Sequence, residues 1–247
     1  MRAREASVGG GRVRYEVAGE GEPVVLVHGL SGSARWWDRT VRALAARYRV
    51  YLVDLPGFGS MRGAEGGFVL SEAAGWLSTW METAGLERAH LVGHSMGGYI
   101  SLVLAARRPE KLGRLVLVAP AGVPTGRSIP GYLVPLLLSG RYMRPGFLPV
   151  LARDALRSGP LTLLGAARDL LAEDVRGCLH EVSAPTLLIW GLKDTLVPPS
   201  AGDIMREEIP DARLLVLKGA GHVPMFERAE ATNAALLAFL AGEVVGE

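Results

Sequence analysis

Leu91-Val92-Gly93-His94-Ser95-Met96-Gly97-Gly98 is the stretch on which the reading of this chain turns. Aliphatic residues end a short strand pattern, a serine follows inside G-x-S-x-G, and helical spacing then runs from Tyr99 to Arg107, stopping before Pro109. A strand that turns this sharply into a helix brings backbones into contact, so glycine is needed at 93 and 97. The turn would hold the Ser95 hydroxyl at the carboxyl end of a sheet strand, with the Met96 N–H opening a helix. The plainer alternative is a glycine-rich turn with no chemistry, and the flanking chain has to decide between them.

Working outward, short β-branched runs alternate with helical patterns. Strands are expected at Arg12–Val17, Pro23–Val27, Val50–Val53, Ala89–Val92, Arg114–Val118, Thr186–Trp190 and Arg213–Leu217. Helices are expected at Trp36–Arg47, Leu70–Thr83, Tyr99–Arg107 and Glu227–Leu240. This alternation predicts an α/β fold with a mostly parallel central sheet. From Pro120 to about Ala184 the rhythm breaks into Leu, Pro, Gly and Arg, with helical fragments at Phe147–Leu156 and Ala166–Leu171. The expected organisation is therefore one core domain, residues 1–119 and 185–247, with 120–184 inserted as a helical cap over one end of the sheet.

With 247 residues, 49% hydrophobic and 21% charged, the chain can bury a sizeable core and is a poor candidate for disorder. Its formal charge is +2, which supplies no overall attraction to nucleic acid or an anionic membrane. Cys178 is the single cysteine, so no intrachain disulfide can form. The amino-terminal residues lack the apolar stretch of a secretory signal. The longest strongly apolar run, Tyr132–Leu138, falls far short of the ~20 residues that span a bilayer. A soluble, cytoplasmic protein without stable membrane insertion is expected, and its oligomeric state is open. There are 24 Arg against 3 Lys, one Asn and no Gln. Scarcity of thermolabile amides points to a heat-adapted source, a reading that a melting midpoint below about 60 °C would remove.

A serine hydroxyl needs a base before it can attack. Of the histidines at 28, 90, 94, 180 and 222, His222 sits in a glycine-containing loop, Lys218-Gly219-Ala220-Gly221-His222, between the last strand and last helix. Such a loop can bring an imidazole over the sheet end. His94 adjoins Ser95, but consecutive side chains in a tight turn diverge. The acid should follow a strand, and Asp194 in Gly191-Leu192-Lys193-Asp194 does so directly after Thr186–Trp190. The chain order Ser95, Asp194, His222 suits a serine-acid-histidine relay on this fold. Asp54 competes for the acid role, but its setting in Asp54-Leu55-Pro56-Gly57-Phe58-Gly59 reads as a turn-fixing carboxylate. An oxyanion hole would take Met96 N–H and, from His28-Gly29-Leu30-Ser31-Gly32, Leu30 N–H. His28 is expected to brace that loop rather than act as a second base.

These segments, with His28-Gly29 and Gly221-His222 at either end, resemble the α/β-hydrolase superfamily in order through nearly the whole chain. The resemblance implies an eight-stranded sheet with one antiparallel strand, a cap domain, and neither metal nor organic cofactor. Serine at 95 sets the chain apart from the haloalkane dehalogenase and epoxide hydrolase branches, which use aspartate there. The expected activity is hydrolysis of small to medium apolar carboxylic esters through an acyl-enzyme, with thioesters and lactones open. The nearest rival is a carbon–carbon bond hydrolase of ring-cleavage diketones, whose members commonly carry Asn where this chain has His94. A non-catalytic small-molecule receptor is the rival from another class, although a pure binder need not keep serine, acid and histidine together. Leu133, Leu137, Met143 and Phe147 are the candidates to line an apolar acyl pocket; equally, they serve only to glue the cap to the sheet.

Overall fold

A computed structural model describes residues 1–63 and 67–245. Eight strands form one sheet: β1 (Arg2–Val8), β2 (Gly11–Ala18), β3 (Pro23–Val27), β4 (Arg49–Val53), β5 (Ala89–His94), β6 (Leu112–Val118), β7 (Thr186–Gly191) and β8 (Ala212–Leu217). Their spatial order is β1-β2-β4-β3-β5-β6-β7-β8. β2 runs antiparallel to both neighbours, and every pairing from β4 to β8 is parallel. The mostly parallel α/β sheet expected from the alternating pattern is therefore present, with one reversed strand.

Helices cover both faces: α1 (Asp38–Leu44), α2 (Leu70–Thr83), α3 (Met96–Arg107), α7 (Ser200–Glu208), α8 (Pro224–Glu227) and α9 (Ala229–Leu240). Between β6 and β7 lie α4 (Leu133–Ser139), α5 (Leu148–Ser158) and α6 (Pro160–Ala172). Side chains alternate across a strand, which divides the core in two. Val25, Val27, Leu91 and Leu117 pack with Leu77, Ile100 and Met205 of α2, α3 and α7. Val24, Leu26, Val92 and Val116 pack with Leu44, Met225 and Leu236 of α1, α8 and α9. Strands buried on both faces read as continuous aliphatic runs, and that is how β3 and β6 appear in the sequence.

Several boundaries differ from expectation. β1 was not foreseen, because its alternating charges disguise an edge strand whose residues are mostly exposed. Its signal was Gly9-Gly10: both have positive φ, at 57° and 82°, in a two-residue hairpin turn that L side chains disfavour. α7 was likewise unforeseen. The helix expected at Trp36–Arg47 is instead a 3₁₀ turn, Ala34–Trp37, followed by α1, and the chain leaves helical form after Leu44. The helix expected at Glu227–Leu240 breaks at Arg228 into α8 and α9. Pro224 opens α8 and tolerates the first helical turn, where its missing N–H has no intrahelical partner.

The segment between β6 and β7 touches loops that follow strand carboxyl ends. Asp154 of α5 meets Ser33 and Trp36 after β3, Thr195 after β7 donates its hydroxyl to the Pro135 carbonyl at 2.7 Å, and Tyr142 approaches Gly221 after β8. Among the described residues, no helix is long and apolar enough to cross a membrane.

Candidate active site

Ser95 stands between β5 and α3 with φ 51° and ψ −115°, a conformation that L residues rarely adopt. Strain of this kind costs roughly 1–3 kcal/mol and persists only where the surroundings fix it. They do so here: Ser95 N–H donates to the Val118 carbonyl at 3.0 Å, and its own carbonyl accepts from Tyr99 and Ala121. A Cβ at Gly97 would collide with the Val27 and His28 carbonyls, and one at Gly93 with the Gly97 carbonyl. The two glycines are thus required by close backbone approach.

The loop after β8 brings His222 Nε2 to 3.1 Å from Ser95 Oγ, and His222 Nδ1 lies 2.7 Å from Asp194 Oδ2. A carboxylate can only accept, so Nδ1 carries the proton and Nε2 is free to accept from Ser95. The other oxygen, Asp194 Oδ1, accepts from Leu196 N–H at 2.9 Å and Val197 N–H at 3.0 Å, which fixes the carboxylate at the end of β7. All three side chains are buried. Burial pulls the His222 pKa down, but the charge and hydrogen bond of Asp194, with a further contribution from Glu227, outweigh it and hold the imidazole above its ordinary value.

Asp54 is spent elsewhere. Its Oδ1 accepts from Ala34 N–H at 2.7 Å and its Oδ2 from Ser60 N–H at 2.6 Å. His28 Nε2 accepts from Leu55 N–H at 3.0 Å, so its Nδ1–H donates to the Gly29 carbonyl at 2.8 Å. This buried, neutral imidazole ties the loop after β3 to the loop after β4. Within the first of these, Gly32 N–H closes a turn on the Gly29 carbonyl at 3.0 Å, with Ser31 at φ 61°. The second residue of such a turn, Leu30, keeps its N–H outside the closing bond. Met96 N–H, at the first position of α3, has no intrahelical partner either.

Three contacts went unread in the sequence. His94 does not reach Ser95 Oγ; its Nε2–H donates to the His222 backbone carbonyl at 2.8 Å, and its ring lies 5.0 Å from that of His222. Burial, above all, keeps it well below the ordinary histidine pKa, and its Nδ1 has no partner among the described residues. Glu227, buried in α8, accepts from Gly221 N–H, one residue before His222. Asp154 accepts from Ser33 Oγ at 2.6 Å and Trp36 Nε1 at 3.2 Å, which fastens α5 to the loop carrying Leu30.

The four apolar candidates separate. Leu133 and Leu137 are 62% and 68% exposed on α4. Phe147 is buried against Trp36 and Phe226, with ring centroids 5.1 and 4.8 Å away, and Met143 packs half-buried on the same cluster. Neither exposed leucine has the enclosure expected of a pocket wall, because α4 turns them outward. Among the described residues, no group of three or more His, Cys, Asp or Glu gathers as metal ligands would.

Comparison with known proteins gives a consistent kinship. The model of the alpha/beta hydrolase family matches residues 24–235. The chain is 33% identical to a 2-hydroxy-6-oxo-6-phenylhexa-2,4-dienoate hydrolase of Comamonas testosteroni, over 92% of this chain and 91% of the relative. It is 34% identical to a pimeloyl-[acyl-carrier protein] methyl ester esterase of Aeromonas hydrophila, over 86% and 92%. The solved meta-cleavage product hydrolase of Pseudomonas fluorescens IP01 superposes with a TM-score of 0.79 at 25% identity, over 97% of each chain. The chain belongs to the alpha/beta hydrolase family.

Proposed function

We propose that this protein is a serine esterase acting on small to medium apolar carboxylic esters, with Ser95 as nucleophile, His222 as base and Asp194 orienting that base. The observation that carries this reading is the hydrogen-bonded line Asp194–His222–Ser95 ending at a strained turn. Ser95 Oγ attacks the ester carbonyl as its proton passes to His222 Nε2. The charge on the carbonyl oxygen is met by the Met96 and Leu30 N–H groups, each donor worth roughly 3 kcal/mol. His222 then protonates the departing alkoxide, and water, activated by the same imidazole, releases the acid and regenerates Ser95. Asp194 stays ionised throughout and stabilises the imidazolium. Residues 120–184 act as a cap over this end of the sheet, joined to it through Asp154, Pro135 and Tyr142.

A second reading, carbon–carbon bond cleavage of ring-cleavage diketones, is favoured by the near full-length similarity to the Comamonas enzyme. The 34% identity to a methyl ester esterase supports the ester to the same degree, and the buried His94 beside the base is what inclines the reading toward it. The deciding experiment offers the purified protein and a Ser95→Ala variant both p-nitrophenyl esters of rising acyl length and a phenyl-substituted ring-cleavage diketone. Ester turnover that exceeds diketone turnover and vanishes in the variant supports the esterase. Diketone turnover alone transfers the assignment to the second reading, and no turnover by a folded protein points to a binder.

A further inference from the structure

The largest feature left unused by the catalytic reading is the outer face of the insertion. Of the sixteen large hydrophobic residues that stand exposed among the described residues, eleven fall between positions 129 and 164. α4 is the extreme case: Leu133, Val134, Leu136, Leu137 and Leu138 are 40–68% exposed, and only Pro135 and Ser139 face inward. Leu156 on α5 and Leu161 on α6 are exposed as well, at 84% each. An exposed apolar helix such as α4 marks a place where something docks.

Charge decides what docks. Residues 121–160 contain five arginines, at 127, 141, 144, 153 and 157, against the single acid Asp154. Asp154 is buried and already accepts from Ser33 and Trp36. The segment therefore carries +4 while the whole chain carries +2, so the remainder is net −2. The near-balanced total conceals a basic, leucine-rich segment. A second copy of the chain is a poor occupant, because a two-fold interface sets the same patch against itself and would oppose arginine to arginine without a free acid. An anionic phospholipid surface satisfies both halves of the patch: leucines enter the acyl boundary while arginines meet headgroup phosphates.

We infer that α4 and its arginine-bearing flanks form a peripheral docking surface for anionic phospholipid bilayers. The surface is tied to the candidate active site: Thr195, next to Asp194, donates to the Pro135 carbonyl and accepts from Arg127 Nη1 at 2.9 Å. Docking would thus set the mouth of the site at the headgroup layer. The inference does not depend on Ser95 chemistry, and its test reads binding alone.

The full chain is floated with vesicles of phosphatidylcholine, or of phosphatidylcholine mixed with phosphatidylglycerol, at low and high salt. The wild type is expected to float with the anionic vesicles and to lose this at high salt, where the Debye length falls from about 10 Å at 0.1 M to about 3 Å at 1 M. Leu133→Ser/Leu137→Ser should weaken partition at least about tenfold, and Arg141→Glu/Arg153→Glu should abolish the preference for anionic vesicles. These side chains are exposed, so both variants should keep the wild-type circular dichroism and melting midpoint. Failure of the folded wild type to float with any vesicle overturns the inference. So does a wild-type dimer in sedimentation that the leucine variant dissociates, since the face then belongs to a second copy.

Discussion

Asp154→Ala removes the acceptor that Ser33 Oγ and Trp36 Nε1 share across 121 and 118 residues of chain. Two donors would be left unpaired in a site where the carboxylate is 2% exposed. Each stranded donor costs about 1–3 kcal/mol, and relief from desolvating the carboxylate offsets part of this. A net loss of about 2–4 kcal/mol follows. At about 2–4 °C per kcal/mol for a chain of this size, the melting midpoint should fall by roughly 5–15 °C. Ser33 also lies three residues beyond Leu30, so a loosened loop misplaces one of the proposed oxyanion donors. Ester turnover should drop by about 10–100-fold in kcat, below the full loss of a donor, with a smaller change in KM. The assay is a double-mutant cycle of Asp154→Ala and Ser33→Ala, read by denaturant unfolding and by kcat. A coupling of about 1–3 kcal/mol is expected for a direct bond. Additive effects within about 0.5 kcal/mol, with kcat unchanged, would refute the latch.

His222 must be neutral to accept a proton, and its environment raises its pKa, so kcat/KM should climb through a limb above the ordinary histidine value of about 6.5; a flat profile across that range contradicts its role as base. His28 and His94 are held below the ordinary value chiefly by burial. They stay neutral in the folded chain while the unfolded chain protonates, so stability should fall below about pH 6.5 by up to about 1.4 kcal/mol per pH unit for each. His222 acts in the opposite sense, its contribution being present below about pH 6.5 and lost as pH rises through its folded value. His94→Asn should flatten the acid-side loss measured by thermal melts between about pH 5 and 7, and an unaltered slope would contradict a neutral, buried His94. Ser95→Gly should be more stable than Ser95→Ala by about 1 kcal/mol, because glycine adopts φ near 51° without strain. Equal melting midpoints for the two would argue against the strained turn.

The elements that meet at the candidate site were legible because each follows a short strand and carries its own signal. Gly93 and Gly97 mark the tight turn, Asp194 follows β7, and Gly219 and Gly221 free the loop that carries His222. The paired backbone donors to Asp54 likewise match its turn-fixing sequence setting. What stayed hidden depends on contacts between residues far apart in the chain. Nothing local announces that Asp154 reaches Ser33, or that His94 supports the carbonyl of a residue 128 positions away. The edge strand β1 was masked by charge, as edges often are. Leu133 and Leu137 were expected either to line a pocket or to glue the cap to the sheet, because apolar residues usually turn inward; on α4 only Pro135 and Ser139 do so.

The most direct test of the proposed chemistry is to quench the reaction of the protein with a p-nitrophenyl ester and weigh the intact chain, mapping any added acyl group to its residue. One acyl group on Ser95, formed with a stoichiometric burst of p-nitrophenol and absent from Ser95→Ala, is the expected result. Turnover with no adduct at Ser95, or an unchanged rate in the variant, would contradict Ser95 as the nucleophile.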